Sequence, residues 1–318
     1  MPWKSGYTVS DERSPDTVRW PQGTACAAVV VVDLAGPSGP SGISPADLCT
    51  DRVRYGYDVA LPRILDMLDR HGVNATFATP AIVAELEPEL VAAVATRGHE
   101  IAAHGLRHEQ VSGLLRHEEA HRIERTIEAL SEIAGRRPTG WYALPRATDR
   151  YPGGSISANT IDLLIAAGFS YLGNSQADDV PHHWVTDAAT GRSLLALPYS
   201  THCDDLFFVG FPQGHAGTHT ERVRMLERNW TGELDAMLGM PGRPGYGRVV
   251  TMVVHPYLNG WGQRALALER VLARLGGDDA IWTPTAAACA EYWLGMYPAT
   301  TTLRLEPTTW VDVPGSLS

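Results

Sequence analysis

The run Ala27-Ala28-Val29-Val30-Val31-Val32, apolar throughout, rich in β-branched residues and ending at Asp33, constrains the fold more than any other stretch of this chain. A strand with one wet face alternates apolar and polar side chains, whereas an unbroken β-branched run suits a strand covered on both faces, the usual condition of a parallel sheet packed under helices. The chain supplies those helices. Leu61, Ile64, Leu65 and Leu68 mark one face of a helix over about 58–71, and Gly72 stops it. Leu90, Val91 and Val94 mark a second, closed by Gly98, while Ile123, Ile127, Leu130 and Ala134 mark a third. Ile161, Leu164 and Ile165 lead up to Gly168, and Leu268, Val271, Leu272 and Leu275 stay in helical register near the C-terminus. Between them, strand-like segments fall near 74–78, 100–104, 140–144, 194–199, 249–255 and 280–283. About seven βα units result, an α/β chain with a mainly parallel sheet. A doubly wound sheet is the competing topology. Its phosphate-binding glycine fingerprint is absent, because the glycines of Gly36-Pro37-Ser38-Gly39-Pro40-Ser41-Gly42 are broken by prolines. The pattern therefore predicts a barrel, with the Gly/Pro/Ser stretch serving either as cover over a site or as a solvated linker.

A chain of 318 residues fits one catalytic domain of this kind, spanning 1–318 with a core over about 27–293 and extensions at both ends. The net charge of -10, with Lys and Arg never clustered, gives no footprint for nucleic acid or an anionic membrane surface. No apolar run reaches the roughly 18 residues of a membrane span, and Met1-Pro2-Trp3-Lys4 lacks the apolar core of a secretory signal, so a cytoplasmic protein is expected. Cys26, Cys49, Cys203 and Cys289 are dispersed without paired spacing, which points to small apolar packing and not to disulfides or a thiolate zinc site.

Chemistry concentrates in Gly98-His99-Glu100-Ile101-Ala102-Ala103-His104-Gly105-Leu106-Arg107-His108-Glu109, where a short apolar run delivers two histidines four residues apart. Neutral imidazoles so spaced can hold one ion, although a histidine also serves as a satisfied polar group near a core. Active groups of a (β/α) barrel gather at the C-terminal strand ends, which would bring Asp33, His104, His108 and His255 to one rim. Asp33, His104 and His108 are the predicted metal ligands. They leave open positions where a substrate carbonyl and a water bind together, and the metal would lower the pKa of that water to about 7 for attack on the carbonyl. His255 is the predicted general acid for the departing atom; its plainer use is to cap the strand before Pro256. Trp141, Tyr142, Trp184 and Trp261 fall at strand or loop ends near the same rim, as stacking surfaces for a planar ring or sugar or as core packing. Arg146 either orients an acidic substrate group or pairs with Asp149.

In these residues the chain resembles the polysaccharide deacetylase superfamily, carbohydrate esterase family four. The aspartate after the first strand corresponds to Asp33, the paired-histidine metal motif to His104 and His108, and the late histidine motif to Thr251-Met252-Val253-Val254-His255-Pro256. Tyr55-Gly56, the run Gly98 to His104, Thr139-Gly140-Trp141-Tyr142, and Asp204-Asp205 after Leu197-Pro198 look more narrowly like the branch of allantoinase-like, cyclic imide hydrolase-like and peptidoglycan deacetylase-like proteins. The resemblance implies an irregular seven-stranded (β/α) barrel. It implies hydrolysis of a non-peptide C–N bond in a small-molecule or sugar amide, a divalent metal with Zn2+ the first choice, and a homo-oligomer.

Two departures stand out. The family carries neighbouring aspartates in its first motif, one the base and one a ligand; here Asp33 stands alone as the ligand, with Val31, Val32 or Leu34 where a base is expected. Glu109, Asp204 and Asp205 are the candidate substitutes, each also readable as a solvated or loop-capping carboxylate. The arginine of the third motif is not evident at Ala143-Leu144-Pro145, though Arg146 follows at once. Three other functions share parts of the pattern: a cofactorless allantoinase-like hydrolase, a barrel that lost its base and binds a ligand or partner, and a non-haem iron oxygenase. The last uses two histidines and a carboxylate but is usually built on a β-sandwich.

Overall fold

The computed structural model describes residues 8–9, 18–146, 148–149, 154–187, 189–210, 218–238 and 248–299. Its strands are β1 (Thr8–Val9), β2 (Cys26–Asp33), β3 (Thr76–Thr79), β4 (Glu100–Ala103), β5 (Gly140–Trp141), β6 (Tyr171–Ser175), β7 (His182–Asp187), β8 (Arg192–Pro198), β9 (Val249–Val254) and β10 (Ile281–Trp282). The apolar run becomes β2, buried along its whole length and paired in parallel with β9 on one side and with β3 and β10 on the other. From β9 the parallel ladder continues β2-β3-β4-β5-β6-β8. Across the seam between β8 and β9, the Thr251 hydroxyl donates to the Pro198 carbonyl at 2.6 Å and Asp204 bridges Val253. The chain is thus an α/β protein with the strand set of an irregular seven-stranded (β/α) barrel, and β7 and β1 extend it as an antiparallel flap.

Side-chain alternation along β2 sorts its residues between two apolar clusters. Ala27, Val29 and Val31 point inward with Ala78, Ala102, Tyr142, Leu144 and Val253, over Cys289 and Trp293 of the helix Ala286–Met296. Ala28, Val30 and Val32 point outward to Leu61, Ile64 and Leu68 of the helix Leu61–His71 and to Val271 and Leu272 of Gly262–Gly277. This two-residue period decides the site, because Asp33 continues the phase of Val31, His104 that of Ala102 and His255 that of Val253.

Helix ends follow the sequence signals: Gly72 and Gly135 take left-handed φ of 63° and 69° after their helices. The first helix is longer than its apolar stripe. Helical backbone begins at Asp51–Tyr55 and passes through a π-turn, Gly56–Ala60, before Leu61–His71. Gly56 is required there, since a Cβ would lie 3.0 Å from the backbone nitrogen of Tyr257. Two strands lack a clear signal in the sequence. β6 is interrupted by Gly173, where a Cβ would strike the Tyr142 ring, and β7 is an antiparallel excursion in a chain whose other strands alternate with helices. Cys26, Cys203 and Cys289 are buried free thiols as apolar packing requires, whereas Cys49 is exposed. No helix among the described residues is long and apolar enough to cross a membrane.

Candidate active site

β2 ends by delivering a fully buried carboxylate. Asp33 Oδ1 accepts the Ala35 N–H at 2.7 Å, and this short turn directs Oδ2 toward His104 Nε2 at 3.5 Å and His255 Nε2 at 3.2 Å. Burial alone would raise the Asp33 pKa, but His104 and His255 hold it well below the usual carboxylate range.

Both histidines of the pair are oriented by backbone carbonyls of the segment after β5. His104 lies just past β4, and its Nδ1 sits 3.0 Å from the Tyr142 carbonyl, which can only accept, so Nδ1 carries the proton and Nε2 presents a lone pair. His108 uses the opposite nitrogen: Nε2 donates to the Leu144 carbonyl at 2.9 Å, leaving Nδ1 as the lone pair. To present that nitrogen, His108 adopts a left-handed φ of 56°, unusual for a side chain of its size. Burial, with His104 alongside, lowers the His108 pKa to about 3 and keeps it neutral. The two rings lie 4.1 Å apart between centroids.

Asp33 Oδ2, His104 Nε2 and His108 Nδ1 are all buried without a hydrogen-bond partner. Buried polar atoms are rarely left so, and one carboxylate oxygen with two imidazole lone pairs is the donor set of a catalytic Zn2+ site. The donor types suit a divalent cation, and the carbonyls of Tyr142 and Leu144 fix the tautomers of the two histidines. A second trio, Asp204, Asp205 and His255, has its polar atoms within 4.8 Å of one another, closer together than the first. Its atoms are already engaged. Asp204 accepts the Tyr199 hydroxyl at 2.7 Å and the Leu206 N–H at 2.8 Å. Asp205 accepts the His255 backbone N–H at 2.8 Å, His255 Nδ1–H at 2.6 Å and the Asn259 amide. That trio is a hydrogen-bonded support, and Asp33, His104 and His108 make the better cradle.

Asp205 thus determines the direction in which His255 acts. With Nδ1–H given to Asp205, Nε2 points at Asp33 Oδ2; against the opposing effect of burial, Asp205 raises the His255 pKa well above its ordinary value. Burial lifts Asp204 to about 7.

Several expected site residues are elsewhere. Glu109, a candidate base, is buried and accepts the Arg107 N–H at 2.6 Å and Arg122 at 2.8 Å, so it braces the histidine loop. Asp204, a second candidate, is held by Tyr199 and the Leu206 N–H, and Asp205, the third, has three donors to satisfy, two of them on His255. Trp141 belongs to the outward cluster, packed edge-on to Phe169, because its strand phase turns it toward the helices. Tyr142 is inward but fully buried against Tyr171, and it contributes its carbonyl, not its ring. Trp184 is buried too. Trp261 is 47% exposed and stacks on Tyr55 at 3.8 Å, outside the cavity beside Asp33. Arg146 does line that cavity, yet its guanidinium is bound to Asp149, Gln110 and the His108 carbonyl, which makes it a brace for His108. Val31 shares the inward phase of Asp33, while Val32 faces the helices. Unforeseen in the sequence are Ser38 of the Gly/Pro/Ser loop and Tyr257, both lining the cavity. The loop covers the site, tied down by the Gln110 N–H to the Pro40 carbonyl at 2.9 Å.

Comparison with known proteins shows what the chain is similar to. Residues 53–172 match the polysaccharide deacetylase family model. The peptidoglycan deacetylase of Helicobacter pylori is 26% identical over 162 residues, 51% of each chain, so the match spans about half the length of that curated relative. A provisionally named polysaccharide deacetylase from Mycobacterium smegmatis superposes with a TM-score of 0.71 at 29% identity, covering 92% of this chain and 96% of that one. The Puue allantoinase superposes with a TM-score of 0.73 at 22% identity over 92% of this chain and 96% of its own, a likeness of fold.

Proposed function

We propose that this chain, whose residues 53–172 match the polysaccharide deacetylase family model, is a metal-dependent hydrolase of non-peptide C–N bonds, acting on a small-molecule or sugar amide as a single catalytic unit. The reading rests on one observation: Asp33 Oδ2, His104 Nε2 and His108 Nδ1 are buried and make no hydrogen bond, with His255 Nε2 3.2 Å from Asp33 Oδ2. Asp33, His104 and His108 would hold a divalent cation, with Zn2+ our choice, which when bound would polarise a substrate carbonyl and lower the pKa of a water to about 7.

The chain's own groups supply the rest. Asp33 has one oxygen committed to the Ala35 N–H and one available. The Tyr142 and Leu144 carbonyls fix the ring orientations, so that His104 Nε2 and His108 Nδ1 are the nitrogens turned to the cradle. His255, kept protonated by Asp205, carries a proton on Nε2 at the mouth of the cradle, where it can protonate the departing nitrogen as the C–N bond breaks. With no second carboxylate beside Asp33, and with Glu109, Asp204 and Asp205 each held by hydrogen-bond donors, we assign proton transfer to His255.

The test combines elemental analysis of purified protein with a hydrolysis screen of allantoin, cyclic imides, N-acetyl sugars and simple acetanilides. Stoichiometric zinc and turnover that are both lost in His104→Ala support the reading. Full turnover in metal-free protein would replace it with the cofactorless mechanism, and zinc without turnover would favour a binding barrel.

A further inference from the structure

Around the cradle nearly every polar side-chain group has an identified use. Asp33, His104 and His108 face the ion position, His255 is aimed at Asp33, and Arg146 is bound to Asp149, Gln110 and the His108 carbonyl. Two hydroxyls at the same cavity do not. Ser38 is 8% exposed, and its Oγ is buried with no hydrogen-bond partner. Tyr257 also lines the cavity, and among the described residues its hydroxyl makes no hydrogen bond. The cavity between these elements measures about 10 Å³, room for little more than one water.

Both groups are held in place by contacts that have nothing to do with their hydroxyls. The Ser38 carbonyl accepts the Thr148 hydroxyl at 3.2 Å, and the Gly39–Gly42 bridge closes the loop behind it. Gly42, at φ 84°, packs where a Cβ would lie 2.6 Å from the Arg107 carbonyl, so the loop is pressed against the histidine segment. The Tyr257 backbone abuts Gly56, its ring stands 5.5 Å from His255, and the Arg52 guanidinium lies 4.9 Å over its face. The guanidinium over its face helps hold the phenol ring in place. Fixed donors that lack a protein acceptor and share the cavity of a hydrolytic centre are suited to a substrate's oxygen atoms.

We propose that the Ser38 and Tyr257 hydroxyls are the substrate-orienting hydrogen-bond donors of this site, which take the oxygen atoms of a compact N-acyl or cyclic amide and hold its carbonyl at the cradle. The inference rests on the hydrolase reading above. It also restricts the substrate: the loop bearing Ser38 lies over a cavity with room for about one water, so the acyl end of a compact amide has to take that water's place and shift the loop, whereas the interior of a polymer would have to displace the loop entirely.

The test uses zinc-loaded full-length protein with acetohydroxamate as probe, followed by calorimetry, together with kcat/KM on the best substrate of the screen. Ser38→Ala and Tyr257→Phe are expected each to weaken acetohydroxamate binding at least about fivefold and lower kcat/KM about tenfold. Zinc stoichiometry should stay at the wild-type value, with thermal midpoints within about 2 °C of wild type. Ser38→Thr, which retains a hydroxyl, should recover most of the loss. Wild-type binding and turnover in both Ser38→Ala and Tyr257→Phe would overturn the assignment, as would a fall in zinc stoichiometry parallel to the fall in affinity, which would make these residues supports of the cradle. A wild-type protein that takes up neither zinc nor acetohydroxamate would overturn the hydrolase reading itself, and this inference with it.

Discussion

Asp205→Asn is the most informative single perturbation, because the replacement keeps the size of the side chain and changes only what it can accept. Asp205 receives the His255 N–H at 2.8 Å, His255 Nδ1–H at 2.6 Å and the Asn259 amide, all in a fully buried setting. An asparagine offers one acceptor oxygen and turns its NH2 toward a donor, so at least one of these bonds becomes a donor facing a donor. A hydrogen bond to a charged group contributes about 1.5–3 kcal/mol, so the expected loss of stability is roughly 2–4 kcal/mol. The kinetic consequence should be larger. Without the carboxylate, His255 loses both its fixed tautomer and the charge that favours its protonated form, and a positioned general acid contributes about 10²–10⁴ in rate. The assay compares kcat on acetanilide, whose aniline leaves poorly, with 4-nitroacetanilide, whose leaving group needs little protonation, at a temperature where the variant remains folded. A fall of about 100-fold or more on acetanilide, a smaller fall on 4-nitroacetanilide and unchanged zinc content are expected. Equal turnover of wild type and variant on both substrates would refute the role given to the Asp205–His255 pair.

Other outcomes follow from the same geometry. Zinc at about 100 times its Kd should stabilise the protein by about 2.7 kcal/mol, and His104→Ala should abolish that increment in a thermal melt. Glu109→Gln breaks a part-buried ion pair with Arg122 and weakens the bond to the Arg107 N–H, so a loss of about 1–2 kcal/mol in denaturant titration is expected, with turnover retained while the protein is folded. His183 is buried and its pKa is lowered to about 4, chiefly by burial. Its unfolded form takes up a proton near 6.5, so the stability it provides is complete above that pH and is lost as pH falls toward 4, by about 3 kcal/mol in all. Melting curves from pH 7.5 to 4 should show a decline that His183→Leu flattens. Gly140→Ala places a Cβ 1.9 Å from the Tyr171 ring and should cost about 1–3 kcal/mol or abolish soluble expression.

The sequence by itself determined the elements and the phase of the chemistry. An unbroken β-branched run had to become a strand covered on both faces, and the two-residue period of side chains then put Asp33, His104 and His255 on the inward side of their strands. The helices with regular stripes were equally legible, because burial of a helix face imposes its own spacing. Strands β6 and β7 were not legible: one carries a glycine that only its neighbour Tyr142 explains, and the other pairs antiparallel against the prevailing pattern. Tertiary structure decided every question of which atom faces which. Trp141 and Tyr142 are adjacent and both aromatic, yet one packs outward on Phe169 and the other is buried inward, with its carbonyl setting the His104 tautomer. Glu109, Asp204 and Asp205 are equivalent as letters, and only their donors separate a loop brace, a hydrogen-bonded support and the partner of His255. Periodicity follows from local backbone geometry and can be read along the chain. The roles of polar atoms depend on partners tens or hundreds of residues away, and only the folded arrangement brings those together.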